Sequence, residues 1–441
     1  HTQDINFKLF PYKASGKTQA PIITELEEVV SDFFRKSLKL ESEPVQYESL
    51  CDNIITEMDI EDEDIEIFKE MIHSLFFEGD NFVAKNLGLY PYQTKVNNKS
   101  VDRLAGFLID VLGLNGNDCN IIEQAMKNYP YNVVEKLVVD AIQTSKIGST
   151  NNNKSYFPVV IGVQEKFKND FYFMLNTGMT SLDDLSNLLA VYYFYYMSQA
   201  CVTLDNFGSG KRNSPVQLYY ALDWEKVSKN RKCCVEGWER IQSSANHMFS
   251  HAVTLEILNQ HKFSGVMLDY ISLQEYIEKH PDRDEVIASE IEKAEKAYTA
   301  CVGDYKKFEQ IPYTSEKAKT DIAIRHLYKC VEEQFLNTDR KRANQFYNEK
   351  FIEFCKIRWV KNRRKSGLVL NLTERDIIFL TKISIKGKDK IRLIDLYKEY
   401  EYRGIFLDNT SKEYLQDFFT KLNLIDKKSD SGDAQYVKRI L

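Results

Sequence analysis

The sequence predicts a mainly α-helical protein, with multi-helical N-terminal and central domains and a C-terminal winged-helix domain. Apolar residues recur at helical spacing, about 3.6 residues, through most of the chain, and this period is the main sequence signal for helices. A long apolar helix stands near the middle of the sequence. Towards the C-terminus, helical patterns alternate with short strand patterns. These observations divide the 441 residues into segments 1–145, 156–366 and 367–441.

The N-terminal segment opens with parts that resemble a phosphate-binding loop. A strand-like run, Ile5–Phe10, precedes a loop that ends in Gly16-Lys17-Thr18, and a helical pattern runs from about Pro21 to Leu40. Strand, G-K-T loop and helix are the parts of a P-loop. Pro11, however, stands where the first glycine belongs, and proline can neither donate an N–H nor adopt positive φ. The pattern therefore favours an ordinary loop, and an NTPase that uses Lys17 is an alternative.

Acidic residues dominate the next stretch, residues 43–80. Carboxylates from Glu57 to Glu70 alternate there with isoleucine and phenylalanine, without the glycine and spacing of a calcium loop. This pattern predicts a solvated helix face. Further helical patterns cover 100–114 and 120–142, and the polar run 144–155 predicts a loop at the first domain boundary.

The central segment is organised around an apolar helix from Ser181 to Phe207. Ser181 with Asp184 has the pattern of a capping box, and Gly208 is expected to supply a left-handed stop. Leu188–Met197 is apolar on every side, which predicts a buried helix whose tyrosine hydroxyls need partners. Polar residues follow too soon for a membrane span, which needs about 18 apolar residues.

Two short motifs flank this helix. Asp140 followed by Gln164-Glu165-Lys166 resembles the acidic-then-lysine order of metal-dependent nucleases. That plan needs these side chains on strands around Mg²⁺, whereas Asp140 falls in a helical pattern. Gly208–Ser214 is a second incomplete P-loop and predicts a loop, with Ser214 capping a new helix.

Two histidines, His247 and His251, lie four residues apart and share a helix face. This spacing is used for zinc, but the catalytic form H-E-x-x-H needs a glutamate where Met248 stands. No third ligand is indicated. The pattern predicts partly buried, hydrogen-bonded histidines, and neither a metal nor a cofactor is expected.

The segment from Arg340 to Lys365 is strongly basic in a protein of net charge −6. Phe346, Phe351, Phe354 and Ile357 predict a helix that buries one face and points its cations outward. Phosphate neutralisation needs such local clustering, and the alternative is a solvated helix whose cations pair with the protein's own carboxylates. The candidate DNA-binding residues are Arg340, Lys341, Arg342, Lys350, Arg358, Lys361, Arg363, Arg364 and Lys365.

The C-terminal segment, 367–441, predicts three helices and a two-stranded hairpin, which is the winged-helix plan. Thr373 with Asp376 caps the first helix, and the second and third helices cover about 394–402 and 411–422. The charges of this surface nearly cancel, so it suits a protein partner as well as DNA. The candidate contact residues for a partner or DNA are Lys412, Lys427, Lys428, Asp430 and Asp433.

Composition limits the protein class. The eight cysteines lie in apolar or helical contexts without C-x-x-C spacing, which favours reduced thiols and a cytoplasmic protein. No membrane-spanning run or lipidation motif is apparent. A pI near 5.8 argues against a generally basic nucleic-acid coat protein but leaves room for one basic surface.

Several short motifs are spread over the whole chain. They are Pro11-Tyr-Lys13, Leu222-Asp-Trp-Glu-Lys226, Phe249-Ser-His251 with Leu255, Arg403-Gly404, and Ser429-Asp-Ser-Gly-Asp-Ala434 with Tyr436-Val437. As a set they resemble DptG, the G component of bacterial DNA phosphorothioation-dependent restriction-modification systems. In such systems sulfur replaces a non-bridging phosphate oxygen to mark self DNA, and an F, G and H complex attacks unmarked DNA.

The resemblance implies a non-catalytic subunit of a bacterial defence complex. It places the ATPase motors in the F and H partners and offers no catalytic residues for this chain. DNA and the F and H subunits are therefore the expected partners. The alternatives are a divergent nuclease that uses Asp140, Gln164 and Lys166, and a scaffold that never touches DNA.

Overall fold

The chain is mainly helical, as the sequence predicts. The computed structural model describes residues 8–12, 26–41, 44–58, 60–95, 98–143, 148–149, 156–260, 267–308, 318–427 and 435–440. Within these ranges, no helix combines the length and the apolar character that crossing a bilayer requires.

Two compact units make up the chain. The small unit contains residues 25–154 and 167–193, and the large unit contains residues 1–24, 155–166 and 194–441. The division of the sequence into three domains stays a prediction.

The small unit is a group of short helices with two minor β-pairs. Its helices are α1 (Glu27–Ser37), α2 (Tyr47–Glu57), α3 (Ile65–Phe76), α4 (Lys99–Val111), α5 (Gly116–Lys127) and α6 (Val133–Gln143), with α7 (Gly162–Thr177) from residue 167 and α8 (Leu182–Asp205) up to residue 193. Its strands are β1 (Leu40–Glu41), β2 (Phe77–Glu78), β3 (Asn81–Phe82) and β4 (Gly148–Ser149). Strand β1 pairs with β4 and β2 with β3, both antiparallel.

Aromatic rings fill the core of the small unit. Phe33 and Phe34 of α1 meet Phe167 and Phe171 of α7 there, and the last two rings are stacked with centroids 5.3 Å apart. The helix face predicted for the acidic stretch forms only in part, because Glu66 and Glu70 are exposed on α3 whereas residues 61–64 precede that helix in a turn. The single helical pattern predicted over 120–142 corresponds to two helices, α5 and α6. The chain breaks between them because a helical conformation is disfavoured for the residue before Pro130.

Helix α8 is buried and capped as the sequence predicts. The Ser181 hydroxyl accepts a hydrogen bond from the Asp184 N–H at 3.1 Å, and every residue from 188 to 197 is at most 5% exposed. The expected stop at Gly208 is wrong, because the left-handed residue is Phe207, with φ of 49°. Its ring is buried against Tyr270, and this packing holds the backbone in a conformation that a bulky residue rarely adopts.

The large unit holds the remaining elements. Its helices are α9 (Lys232–Val235), α10 (Trp238–Asn246), α11 (Met248–Leu258), α12 (Tyr270–Lys279), α13 (Asp284–Cys301), α14 (Lys319–Asn337), α15 (Lys341–Arg358), α16 (Glu374–Ile385), α17 (Leu393–Tyr402) and α18 (Asn409–Lys421). Its strands are β5 (Ala221–Leu222), β6 (Val360–Asn362), β7 (Leu368–Leu372), β8 (Lys390–Arg392), β9 (Ile425–Lys427) and β10 (Gln435–Lys438). Short 3₁₀ turns at Phe207–Ser209, Pro281–Arg283 and Arg364–Ser366 complete it, and one at Tyr90–Tyr92 lies in the small unit.

Two three-stranded sheets support the large unit. In the first, β7 lies between β6, to which it is antiparallel, and β5, to which it is parallel. In the second, β10 lies between β8 and β9 and is antiparallel to both. The second sheet therefore brings the last strand of the chain between two strands that precede it.

The helix expected after Ser214 does not form. The backbone of Val216 instead pairs with the Gln199 amide of α8, which accepts from the Val216 N–H at 2.7 Å and donates to its carbonyl at 3.0 Å. The segment is not helical, because these bonds take the place of those of a helix. The prediction that Ser214 caps a helix is wrong.

The C-terminal elements match the predicted order. Thr373 and Asp376 form a full capping box on α16, and Gly387 makes the turn before β8 with φ of 77°. Gly404 has φ of 76°, and a Cβ there would lie 2.5 Å from the Tyr195 ring, so only glycine fits. Asp408 caps α18, which begins at Asn409, two residues before the predicted start at Ser411. The turn expected at 429–433 lies outside the described residues.

The cysteines are mostly core residues, as predicted. Five of the eight are buried, and none forms a disulfide. Cys301, in α13, is exposed, contrary to the general expectation of core thiols.

Candidate functional site

The basic segment is not one helix. Helix α15 ends at Arg358, and the chain then forms the β6–β7 hairpin, whose turn closes through Gly367 with φ of 79°. The expectation of one helix face is therefore wrong beyond Arg358. Phe351 and Phe354 are buried as expected, but Phe346 and Ile357 of α15 are 37% and 59% exposed.

The cations of the hairpin mostly serve the fold. The Arg363 guanidinium donates to the backbone carbonyls of Leu222 at 2.6 Å and of Asp223 and Glu225 at 3.2 Å. Lys361 forms an ion pair with Asp223, and this hydrogen bond lowers the pKa of the aspartate below its usual value. These contacts fix the hairpin against the segment around β5.

Three further candidates pair with carboxylates of the chain. The distances are 2.8 Å from Arg340 to Asp304, 3.8 Å from Lys350 to Glu353 and 3.3 Å from Arg358 to Asp376. The alternative weighed from the sequence, pairing with the protein's own acidic residues, thus describes part of the segment.

Four candidates, together with Lys356, remain available to a ligand. All five are exposed, and within the described parts of the chain none forms an ion pair. Two lie in the first turn of α15, two lie in the hairpin turn, and Lys356 lies near the end of α15. These residues are Lys341, Arg342, Lys356, Arg364 and Lys365.

The C-terminal candidates are placed only in part. The Lys412 ammonium lies 3.2 Å from the Glu401 carboxylate and over the Tyr397 ring, so it already has a partner. Lys427 belongs to β9. Lys428, Asp430 and Asp433 lie outside the described residues.

The residues of the nuclease alternative all lie on helices. Asp140 is on α6 and pairs with Lys136 at 2.7 Å, and Gln164 and Lys166 are on α7. Lys166 is buried and donates to the Tyr195 hydroxyl at 2.9 Å. Burial lowers the pKa of Lys166 to about 8. Lys17, the residue of the NTPase alternative, lies outside the described residues.

The two histidines are hydrogen-bonded, as predicted. His247 Nδ1 and His251 Nε2 lie 3.0 and 2.9 Å from the same Asp205 carboxylate oxygen, and His251 Nδ1 lies 3.0 Å from the Tyr270 hydroxyl. Burial opposes ionisation of Asp205, yet hydrogen bonds from both histidines keep its pKa below the usual value. The bond to Asp205 raises the pKa of His247, whereas burial lowers that of His251. Among the described residues, no group of three or more His, Cys, Asp or Glu side chains is placed to hold a metal ion.

His247 also borders a pocket that sequence reasoning missed. The pocket has a volume of about 660 Å³ and lies within the large unit, between α10, α11, α14 and α15. Amide side chains of α15, including Asn344 and Asn348, form one wall. In the sequence, the pocket is marked only by two amide residues four apart in a helical pattern. Such residues are common on the solvated face of a helix, so they did not predict a pocket.

Comparison with protein families and with curated proteins gave no match. No family model matches the sequence, and no curated protein matches it. The functional conclusion therefore depends on the geometry above and on the resemblance of the short motifs.

Proposed function

We propose that this chain is a non-catalytic subunit of a DNA phosphorothioation-dependent restriction complex. In this role it contacts DNA phosphates through Lys341 and Arg342 of α15 and Arg364 and Lys365 of the hairpin. It assembles with the ATPase partners F and H in the cytoplasm, and these partners attack unmodified DNA. The resemblance of the short motifs supports the assignment to this system.

The start of α15 is the observation that carries the DNA contact. The positive end of a helix dipole favours anions, and cations in the first turn are unfavourable there. Helix α15 nevertheless begins with Lys341 and Arg342 after Arg340 as the N-cap residue, without an acidic residue in its first turn and without a side-chain cap. A sequence that breaks a local rule in this way points to a function, and a phosphate would relieve the conflict.

The C-terminal elements support a docking role. We propose that β7 to β10 and α16 to α18 form a winged-helix module. Three helices with a three-stranded antiparallel sheet in the order β8-β10-β9 support this reading. Because Lys412 already pairs with Glu401, the module is better suited to a protein partner than to phosphates.

The DNA contact is tested by changing Lys341, Arg342, Arg364 and Lys365 to serine in one variant. Arg363 is left unchanged because it holds three backbone carbonyls of the fold. DNA affinity should fall equally for all sequences. Each lost phosphate contact should flatten the plot of log K against log salt by about 0.9, so four should flatten it by roughly 3 to 4.

A matched control removes four exposed cations elsewhere in the large unit: Lys279, Arg283, Lys293 and Lys296 to serine. This variant has the same change in net charge and should keep both the affinity and the salt slope. If the first variant is folded by circular dichroism and binds DNA as the wild type does, the DNA contact is wrong and the scaffold alternative leads.

A further inference from the structure

The pocket beside α15 has the size of a small-molecule site. Its volume of about 660 Å³ falls within the roughly 300–1,000 Å³ of ligand pockets. Helix α15 supplies one long wall, from Asn344 to Lys356. The same helix carries the proposed phosphate contacts at its start.

A buried acceptor on this wall has no partner. The Asn348 side chain is 5% exposed, and its Nδ2 donates to the Asn246 carbonyl at 2.9 Å and to Asn344 Oδ1 at 3.2 Å. Because a backbone carbonyl only accepts, these bonds fix which side of the amide is the oxygen. Oδ1 is left without a hydrogen bond. Burying an unpaired acceptor is costly, so the site calls for a ligand that donates an N–H.

The rest of the lining suits a flat, uncharged molecule. The carboxylates of Glu332 and Glu349 line the pocket with Lys356 and His247, so an anion would gain little inside it. Phe346 also lines the pocket and keeps 37% of its surface exposed. An exposed aromatic ring beside polar groups offers a stacking surface, which binds nucleobases through their faces.

We propose that this pocket receives one nucleobase that carries an exocyclic amino group, turned out of the DNA stack. The amino group donates to Asn348 Oδ1 while the base stacks on Phe346. Arg342 stands four residues before Phe346 on the same helix face, about 6 Å away, and can hold the adjoining phosphate. Delivery of the base from DNA rests on the proposed function, whereas the fit of the base does not.

The pocket is tested first with free nucleosides and the full chain. Two matched pairs remove only the exocyclic amino group: deoxycytidine against 2-pyrimidinone deoxyriboside, and deoxyadenosine against purine deoxyriboside. In at least one pair the amino form should bind about tenfold or more tightly by calorimetry, since a buried acceptor rejects a ligand that lacks the donor.

Two alanine variants locate the site. Phe346→Ala should weaken nucleoside binding by about 5- to 150-fold, the range for loss of base stacking. Ile357→Ala is the matched control, because this residue is also exposed on α15 but does not line the pocket, and it should bind as the wild type does.

Duplex DNA that contains 2-aminopurine separates this proposal from the DNA contact. Its fluorescence should rise on binding as the base leaves the stack. If the wild-type chain binds DNA with the expected salt dependence but shows neither a fluorescence rise nor nucleoside binding, the pocket proposal is overturned and the DNA contact stands. Selective nucleoside binding without DNA affinity sustains the pocket and overturns the DNA contact. A pocket that binds a simple alkylamine and no nucleoside also overturns the proposal.

Discussion

Arg363 and Arg364 are neighbours with opposite roles. Arg363 satisfies carbonyls near β5, about 140 residues away in sequence, whereas Arg364 is exposed and has φ of 55°. Local pattern assigns both to one basic cluster. Only the fold shows that replacing Arg363 would remove support from the hairpin rather than a phosphate contact.

Lys166 should contribute stability that increases as pH rises above about 8, against an opposite contribution from buried cysteines such as Cys201, Cys330 and Cys355, whose pKa values burial raises above the roughly 8.5 of an unfolded thiol. Its folded pKa is about 8, whereas an unfolded lysine has a pKa of about 10.4. Between these values Lys166 binds more protons in the unfolded state, so its contribution to the free energy of unfolding increases with pH. From about pH 8 to about pH 9.5, the wild type should gain on the order of 1 kcal/mol relative to Lys166→Met by urea denaturation.

The window ends there because unfolded tyrosines ionise at about pH 10, and burial raises the pKa of Tyr195 in the folded state. Lys293→Met, at an exposed position, should show the same gain over Lys166→Met as the wild type does. A wild type that shows no such gain over Lys166→Met between these pH values would contradict the assignment.

Side-chain roles were predictable only where they depend on local spacing. His247 and His251 face the same way because they are four residues apart in a helix, so their shared hydrogen-bonded setting could be predicted. The unpaired oxygen of Asn348 could not be predicted, because it results from a carbonyl on another helix fixing the amide. Lys361 and Arg358 were predicted to face solvent because the carboxylates that pair with them, Asp223 and Asp376, lie outside the basic segment.

Helix caps were the elements best predicted from the sequence. The cap at Ser181 and the capping box at Thr373 formed because a cap needs only residues within one turn. The errors at Gly208 and Ser214 arose where distant groups decide the backbone. Packing of its buried ring holds Phe207 in the left-handed conformation, and the Gln199 amide binds the backbone of Val216 in a segment that is not helical.

Two caps in the C-terminal elements should differ in their contribution to stability. Asp408 accepts from the Ser411 N–H at 3.0 Å and pairs with Arg231 Nε at 3.0 Å, whereas Thr373 mainly caps α16. Thr373→Ala should cost about 1 kcal/mol. Asp408→Ala should cost roughly 2–4 kcal/mol, because it also removes one carboxylate from a partly buried arginine.

Urea denaturation of both variants measures the difference. Arg231 keeps Glu225 as a second partner at 3.1 Å, which limits the loss. Equal losses in the two variants would mean that the Arg231–Asp408 pair contributes nothing beyond the cap.

At the scale of the whole molecule, fold class was predictable and connectivity was not. Helical periodicity is repeated in nearly every segment, so the mainly helical class followed from the sequence. The large unit gathers residues 1–24, 155–166 and 194–441. Periodicity describes each segment alone and does not show which segments share a core.

The isolated chain is expected neither to hydrolyse ATP nor to cleave DNA with Mg²⁺ or Mn²⁺. Pro11 stands where a P-loop needs its first glycine. Asp140, Gln164 and Lys166 lie on helices rather than on the strands of a nuclease site. Phosphate release and plasmid cleavage are the measurements. ATP turnover that Lys17→Ala abolishes, or cleavage that Asp140→Ala abolishes, would show that the chain is an enzyme.

The parallel pairing of β5 with β7 has a consequence for biosynthesis. Ala221 pairs with Asn371, which the ribosome adds about 150 residues later. At roughly 5–20 residues per second, the nascent chain therefore carries β5 without its partner for about 8 to 30 s. An open strand edge can recruit other chains, so slower synthesis should lower the yield of soluble protein, and a chaperone that covers this edge should restore it.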